Sequence, residues 1–304
     1  MNAIPQDLPF DPSGLQGLSE KLLRSHHQNN YGGAVKRLNA LRAQLREARP
    51  ADLAGYELNG LKREELIATN CMLLHELYFG SLGASEMAPA MALALAASFG
   101  SVDRWREEFV AMGKALGGGS GWVLLSFLPR EGLLVNQWCA DHTHALAGGV
   151  PLLALDMYEH AYHMDHGAAA AAYVDAFMAN IHWAKVYERY QQAVHAASEG
   201  LAADAAVLDG AQPLLLDVRR DAMYAQATSQ LPGARWCDPA KVDEWAASLP
   251  SDREILVYCI YGHEVGRSTA MKLRARGLQA RFLSGGIDGW ARAGRPLQPK
   301  KAST

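Results

Sequence analysis

The sequence is short of the features that mark secreted, membrane-borne or nucleic-acid-binding chains. Its four cysteines, Cys71, Cys139, Cys237 and Cys259, lack paired spacing, which argues against both a disulfide framework and a thiolate zinc site, so thiols are expected. No apolar run approaches the roughly 20 residues of a membrane-spanning helix. The opening Met1-Asn2-Ala3-Ile4-Pro5 has no basic segment leading into an apolar one, so a cytoplasmic location is expected. Neither sign of charge dominates: 29 Lys and Arg against 32 Asp and Glu give a formal net charge of −3. That balance excludes a general binder of nucleic acid or of a membrane surface. What remains is globular, 49% hydrophobic and 20% charged over 304 residues, enough for two domains that each bury a core.

From Leu18 to about Leu45 the apolar spacing predicts a long helix with Ser19 as its cap. Gly32 and Gly33 interrupt it, costing roughly 2 kcal/mol relative to alanine, so a bend or break is expected there. Pro50 and Gly55 to Gly60 mark a turn, and Leu61 to about Tyr78 forms the second arm of a helical hairpin. Helices follow at Met87–Phe99 and, capped by Ser101, at Val102–Lys114. Strand-like runs come next at Trp122–Leu128, Leu133–Cys139 and Leu152–Leu155, then helices near Ala168–Met178 and Ile181–Val194. Residues 1–88 thus read as a helical hairpin and 89–195 as an α/β unit, an α+β arrangement. The Ala-rich stretch 196–208 reads as a linker. In 209–304, the apolar runs Leu214–Val218 and Ile255–Tyr258 alternate with helical patterns at Val242–Ser248 and Ser268–Gly277, and Ala280–Leu283 supplies another strand. This pattern predicts a second, α/β domain with a parallel sheet.

The stretch Leu155-Asp156-Met157-Tyr158-Glu159-His160-Ala161-Tyr162 carries the first chemistry. In a helix, Asp156 and His160 project from one face, where a carboxylate and an imidazole can bind one ion. His26 and His75 lie in helical patterns flanked by apolar residues, one on each arm of the hairpin, and can face each other. Three nitrogens and one oxygen suit iron or manganese better than structural zinc, which favours thiolates.

Leu18-Ser19 running into His26, Leu73-Leu74-His75, Gly119-Ser120-Gly121-Trp122 and Asp156 to Tyr162 follow the order found in iron/manganese superoxide dismutases. Residues 8 to about 195 resemble that family. The resemblance implies one iron or manganese ion per subunit, held by His26, His75, Asp156 and His160 and alternating between M(III) and M(II) while one superoxide is oxidised and the next reduced. It places Trp122 in the pocket wall. His142, in Cys139-Ala140-Asp141-His142, falls at the family's alternative location for the donor that holds metal-bound solvent, which favours iron. It also implies a homodimer or larger assembly in which Glu159 reaches His160 of the partner subunit. The gateway tyrosine of the family falls at Ala34 and the nearby histidine at Asn30, leaving Tyr31 as a substitute. The tyrosine that meets that histidine across the dimer falls at His163, so Asn30 and His163 are expected as a polar pair.

Leu216-Asp217-Val218-Arg219, Leu231-Pro232-Gly233-Ala234, Cys259 after an apolar strand, and Ser284-Gly285-Gly286-Ile287-Asp288-Gly289-Trp290 resemble a single rhodanese (sulfurtransferase) domain over residues 209 to about 297. The resemblance implies that Cys259 opens a loop whose N–H groups stabilise a thiolate or persulfide, with Arg267 adding fixed charge. The thiol pKa is then expected below the usual value of about 8.5. The familiar Cys-x-x-Gly-x-Arg loop keeps Gly262 but is lengthened by His263-Glu264-Val265-Gly266, so a small sulfur donor or acceptor other than thiosulfate is expected. The combined expectation is a cytoplasmic superoxide dismutase fused to a persulfide carrier, with no nucleic-acid or membrane partner. Two other readings use the same residues: iron-dependent oxidation of sulfur or persulfide, and a non-catalytic metal- or redox-sensing protein.

Overall fold

The computed structural model describes residues 2–210 and 212–300. The chain forms two compact units, one from the chain up to Pro89, Asp103–Ser126 and Asn136–Tyr187, the other from Ala90–Val102, Phe127–Val135 and the chain from Glu188 on. No helix among the described residues is long and apolar enough to cross a membrane.

In the hairpin, α1 (Glu20–Ser25) is capped by the Ser19 hydroxyl, which accepts from Leu22 N. It runs into a π turn at His26–Tyr31 and on into α2 (Gly32–Glu47). The expected break at Gly32-Gly33 is absent. A Cβ on Gly32 would meet His27 O at 3.6 Å, an ordinary contact, and one on Gly33 would meet nothing within 4 Å. The irregularity lies one turn earlier, where the π turn admits an extra residue without stopping the helix. The second arm, α3 (Gly55–Phe79), begins at Gly55 rather than Leu61. There Glu57 reaches back to accept from Ala54 N at 3.0 Å, and this tie to the first turn draws Gly55 and Gly60 into the helix. The arms pack through Ala34, Val35 and Leu38 on α2 and Ala68, His75, Tyr78 and Phe79 on α3.

Helices α4 (Pro89–Phe99) and α5 (Val102–Ala115) precede strands β1 (Trp122–Leu128), β2 (Leu133–Cys139) and β3 (Val150–Asp156), which form a sheet ordered β2-β1-β3. β1 starts beside Gly121, whose φ is +135° and where a Cβ would lie 2.2 Å from Cys139 O. Only glycine brings the chain into β1 at that point. β3 ends on Asp156, while His160 occupies a 3-10 turn, Glu159–Ala161, so the two do not share a helix. Helices α6 (His163–His166), α7 (Ala170–Ala179) and α8 (Trp183–Ser198) follow.

The stretch expected as a linker is structured. α8 runs through Ser198, and β4 (Ala202–Ala203) pairs in parallel with β9 (Ala280–Leu283) at Phe282 and Leu283. Its alanines mark a tight edge rather than slack, and Ala203 is fully buried. The remaining elements are β5 (Leu214–Asp217), α9 (Asp221–Gln226), β6 (Ser229–Gln230), β7 (Arg235–Trp236), α10 (Val242–Trp245), β8 (Ile255–Tyr258), α11 (Glu264–Ala275), α12 (Gly286–Arg292) and β10 (Gln298–Pro299). The sheet runs β4-β9-β8-β5-β7, parallel throughout, while β6 and β10 pair antiparallel. Cys259 follows the carboxyl end of β8, the edge at which parallel sheets place their binding sites.

Candidate functional site

Four separate segments bring the candidate ligands together: His26 from the π turn, His75 from α3, Asp156 from the end of β3 and His160 from the 3-10 turn. Asp156 Oδ2 lies 3.2 Å from Nε2 of both His26 and His160 and 3.5 Å from Nε2 of His75. All four ligand atoms fall within 4.8 Å of one another. Atoms bound about 2.1 Å from one ion are themselves about 3.0–3.6 Å apart when adjacent, so these contacts have the spacing of a coordination shell. The other carboxylate oxygen, Oδ1, accepts from Tyr158 N at 2.9 Å and fixes the orientation of Asp156.

The protons support a cation here. His75 Nδ1 donates to Cys71 O at 2.6 Å, so its Nε2 carries a lone pair, and that buried atom has no hydrogen-bond partner. It faces a carboxylate oxygen. Two lone pairs opposed in a dry interior cost on the order of 1–3 kcal/mol or more unless a positive ion lies between them. Burial lowers the pKa of His26, and it pushes His75 down to about 3 with help from His26. Burial opposes ionisation of Asp156, but hydrogen bonds from His160 and His26 hold it well below the carboxylate range. A carboxylate and unprotonated imidazoles are the forms that bind metal.

Trp122 is buried with its ring edge-on to His75 at 5.3 Å, and its Nε1–H donates to His142 Nδ1 at 2.9 Å. The His142 ring centre lies 6.4 Å from that of His75. The His142 carbonyl accepts from Asn70 Nδ2, and burial lowers its imidazole pKa. Glu159 and His163 are exposed and Asn30 is half-buried. Sequence reasoning passed over two neighbours. Tyr158 stacks between His142 and His160, at 4.8 and 5.4 Å, and burial pushes its phenol up to about 12. Its place midway between Asp156 and His160 was the available signal. Cys71, one helical turn before His75, was weighed only for its side chain, whereas its carbonyl orients the ligand.

Tyr31 is held by two hydrogen bonds. Its buried hydroxyl accepts from Gln6 N at 2.6 Å and donates to Glu76 at 2.8 Å, tying the N-terminal strap and both hairpin arms together. Tyr31→Phe is expected to lower the unfolding free energy by about 1–3 kcal/mol, read from a urea titration. Unchanged stability with reduced turnover would mark it as a gateway.

In the second unit, the N–H groups of Gly266, Gly262, His263 and Tyr261 all bond to the Cys259 sulfur. Gly262 has φ +71°, and a Cβ there would meet Gly285 N and Leu283 O at 2.8 Å, so the turn requires glycine. Ile287 N and Asp288 N hold the Cys259 and Ile260 carbonyls from behind, at 3.0 and 2.9 Å. The expected low thiol pKa needs correction: burial outweighs the four N–H groups and pushes the thiol pKa up. The Arg267 guanidinium bonds Gly262 O and Ser198 Oγ, both at 3.0 Å, lies 3.4 Å from Glu199 and covers the Phe282 ring. The expected lengthening of the loop is not found: Glu264, Val265 and Gly266 form the first turn of α11, with His263 as its cap position. Glu264 pairs with Arg220 at 3.6 Å, and the His263 ring lies beside that of exposed Tyr261.

Residues 87–189 match the family described as iron/manganese superoxide dismutases, C-terminal domain, and residues 201–293 match the rhodanese-like domain. A superoxide dismutase [Fe] of Cupriavidus metallidurans is 64% identical over 188 residues, covering 62% of this chain and 95% of that protein. A superoxide dismutase [Fe] of Aquifex pyrophilus is 33% identical over 61% of this chain and 90% of its own length. Superoxide dismutase [Mn] 1 of Haloferax volcanii is 34% identical, over 62% and 94% respectively.

Proposed function

Because this chain belongs to the iron/manganese superoxide dismutase family, we propose that it converts superoxide to oxygen and hydrogen peroxide on one iron ion, and that its rhodanese-like part carries sulfur on Cys259. The observation that carries the first half is the unpartnered Nε2 of His75 aimed at Asp156 Oδ2. Iron is favoured over manganese by the 64%-identical relative named as an iron enzyme.

A bound iron ion supplies one-electron exchange, accepting an electron from one superoxide and returning it to the next. His26, His75, Asp156 and His160 hold the ion, and Asp156 is the one anion among them. Trp122 keeps bulk water from the buried side. Peroxide formation consumes two protons, and with Ala34 and Asn30 at the family's gateway positions, His142 and Tyr158 are two partly exposed side chains beside the centre that carry exchangeable protons. His160 is 27% exposed and Glu159 is exposed, which supports a homodimer in which Glu159 orients the imidazole of His160 of the partner subunit, with Asn30 and His163 as a polar pair across the same twofold axis.

At Cys259 the thiolate attacks the outer sulfur of a small donor, the donor's S–S bond breaks and its thiolate leaves. An acceptor nucleophile then takes the outer sulfur and returns Cys259 to the thiolate. The loop's four N–H groups stabilise each anionic form, and Gly266 leaves the sulfur room. Four free thiols accord with a reducing, cytoplasmic setting.

The test is metal analysis of the purified chain alongside direct superoxide disproportionation and sedimentation. Iron near one equivalent, turnover and a dimer are expected. An iron-loaded chain without turnover would sink the dismutase reading, and oxygen uptake that requires a persulfide would put sulfur oxidation in its place. A fully active monomer would remove the dimer.

A further inference from the structure

A cavity of about 370 Å³ lies in the second unit, to which every residue lining it belongs. That is the size of a small-molecule site. Neither the four candidate metal ligands nor Cys259 line it. One wall is α11, whose residues Glu264, Ser268 and Lys272 recur at four-residue intervals and so share a face. The β1–β2 turn closes on that wall at Gly132, whose φ is +66° and where a Cβ would lie 2.8 Å from Ser268 O and 3.2 Å from Lys272 N. Only glycine lets the turn come so near. The facing wall is apolar, made by Leu93, Ala94 and Ala97 of α4 with Pro239, Ala240 and Val265.

The charges in this cavity are unevenly matched. Arg220 is neutralised by Glu264 at 3.6 Å and also donates to Ala90 O at 3.4 Å. Asp238 caps the turn that follows it, its Oδ1 accepting from Ala240 N at 3.0 Å. Lys272 has no such counterpart. It is half-buried, and among the described residues its ammonium has no hydrogen-bond or ion-pair partner. Burial, opposed by no neighbouring carboxylate, lowers its pKa. An ammonium carries three donors, so an anion seated against this one gains charge-assisted hydrogen bonds that nothing in the chain now supplies.

The rest of the lining restricts what the anion can be. A second negative charge would meet Asp221, Asp238 or Glu264, which disfavours phosphate, sulfate and dicarboxylates. The alanine-rich wall gives a polar body no partner, whereas covering it with an apolar body is favourable. We propose that the cavity is a binding site for a small organic monocarboxylate, its head on the Lys272 ammonium and its apolar body along α4. This assignment goes beyond the dismutase and sulfur-transfer readings and rests on neither.

The test is calorimetric titration of the metal-loaded, full-length chain with hexanoate, and in parallel with hexanol, glutarate and chloride. Hexanoate is expected to bind saturably at one site per chain, and the three controls at least about tenfold more weakly, since hexanol lacks the charge, glutarate carries a second one and chloride lacks the body. Lys272→Met, which keeps the stem and removes the charge, and Ala97→Leu, which fills the apolar end, should each weaken hexanoate at least about tenfold, while Lys272→Arg should retain it. No saturable binding of hexanoate overturns the proposal, as does glutarate or chloride binding as tightly as hexanoate, or undiminished binding to a folded Lys272→Met. The comparison of the four compounds decides the ligand class whether or not either variant folds.

Discussion

Asp156→Ala protein is expected to emerge from purification without bound metal. The substitution removes the one anion of the ligand set and the oxygen toward which three imidazole nitrogens converge at 3.2–3.5 Å. Losing a group that only orients a ligand typically costs about 10–100-fold in metal affinity, so losing this ligand should cost at least about 100-fold. Elemental analysis after dialysis reads the loss, and metal content equal to the unaltered chain would sink the ligand assignment. Asp156→Asn, which keeps volume and an acceptor for Tyr158 N, should retain more metal than Ala. The pKa shifts add a pH signature to the metal-free protein. His75 is held down to about 3 when folded, whereas an unfolded histidine takes up its proton near about 6.5. The unfolded chain therefore binds more protons between those values, and metal-free stability should fall as pH drops from about 6.5 toward 3.

Cys259→Ser is expected to abolish sulfur loading. Mass spectrometry after incubation with several sulfur donors should show one added sulfur on the unaltered chain and none on the variant. No adduct with any donor would leave the loop as a docking element. The elevated thiol pKa sharpens the expectation, because the nucleophile is the thiolate and free cysteine ionises near about 8.5. With burial pushing Cys259 upward, loading should accelerate as pH rises from 7 through 9. A rate flat across that range would mean that the four N–H groups win over burial in solution.

Three of the candidate ligands lie in local patterns that place them: His26 and His75 follow the apolar faces of two helices, and Asp156 follows an apolar run that forms a buried strand, whereas His160 sits in a 3-10 turn and not on a helix shared with Asp156. The surroundings were not legible, because they depend on pairings between distant residues. The Tyr31 hydroxyl is bonded by Gln6 and Glu76, and no local spacing connects residues 6, 31 and 76. Arg267 reaches both Gly262 and, far back in the chain, Ser198 and Glu199. The stretch at Ala202-Ala203 was misread for a different reason. Small side chains were taken for a linker or fraying helix end, where Ala202 and Ala203 pair in parallel with Phe282 and Leu283 and Ala203 is buried. In the chain's second part, β8 and the leucines of β5 were legible as short apolar runs, the mark of a sheet covered on both faces.

The π turn at His26–Tyr31 makes the spacing of the chain, and not only its side chains, a determinant of metal binding. A π turn closes its hydrogen bonds one residue later than an α turn. If the same residues closed at the regular α pitch instead, His26 would be turned by about 100° around the axis relative to α2. Every ligand would still be present, yet His26 would face away from Asp156, so a change that converts the π turn to α pitch without altering a ligand would disarm the centre as thoroughly as replacing His26 itself.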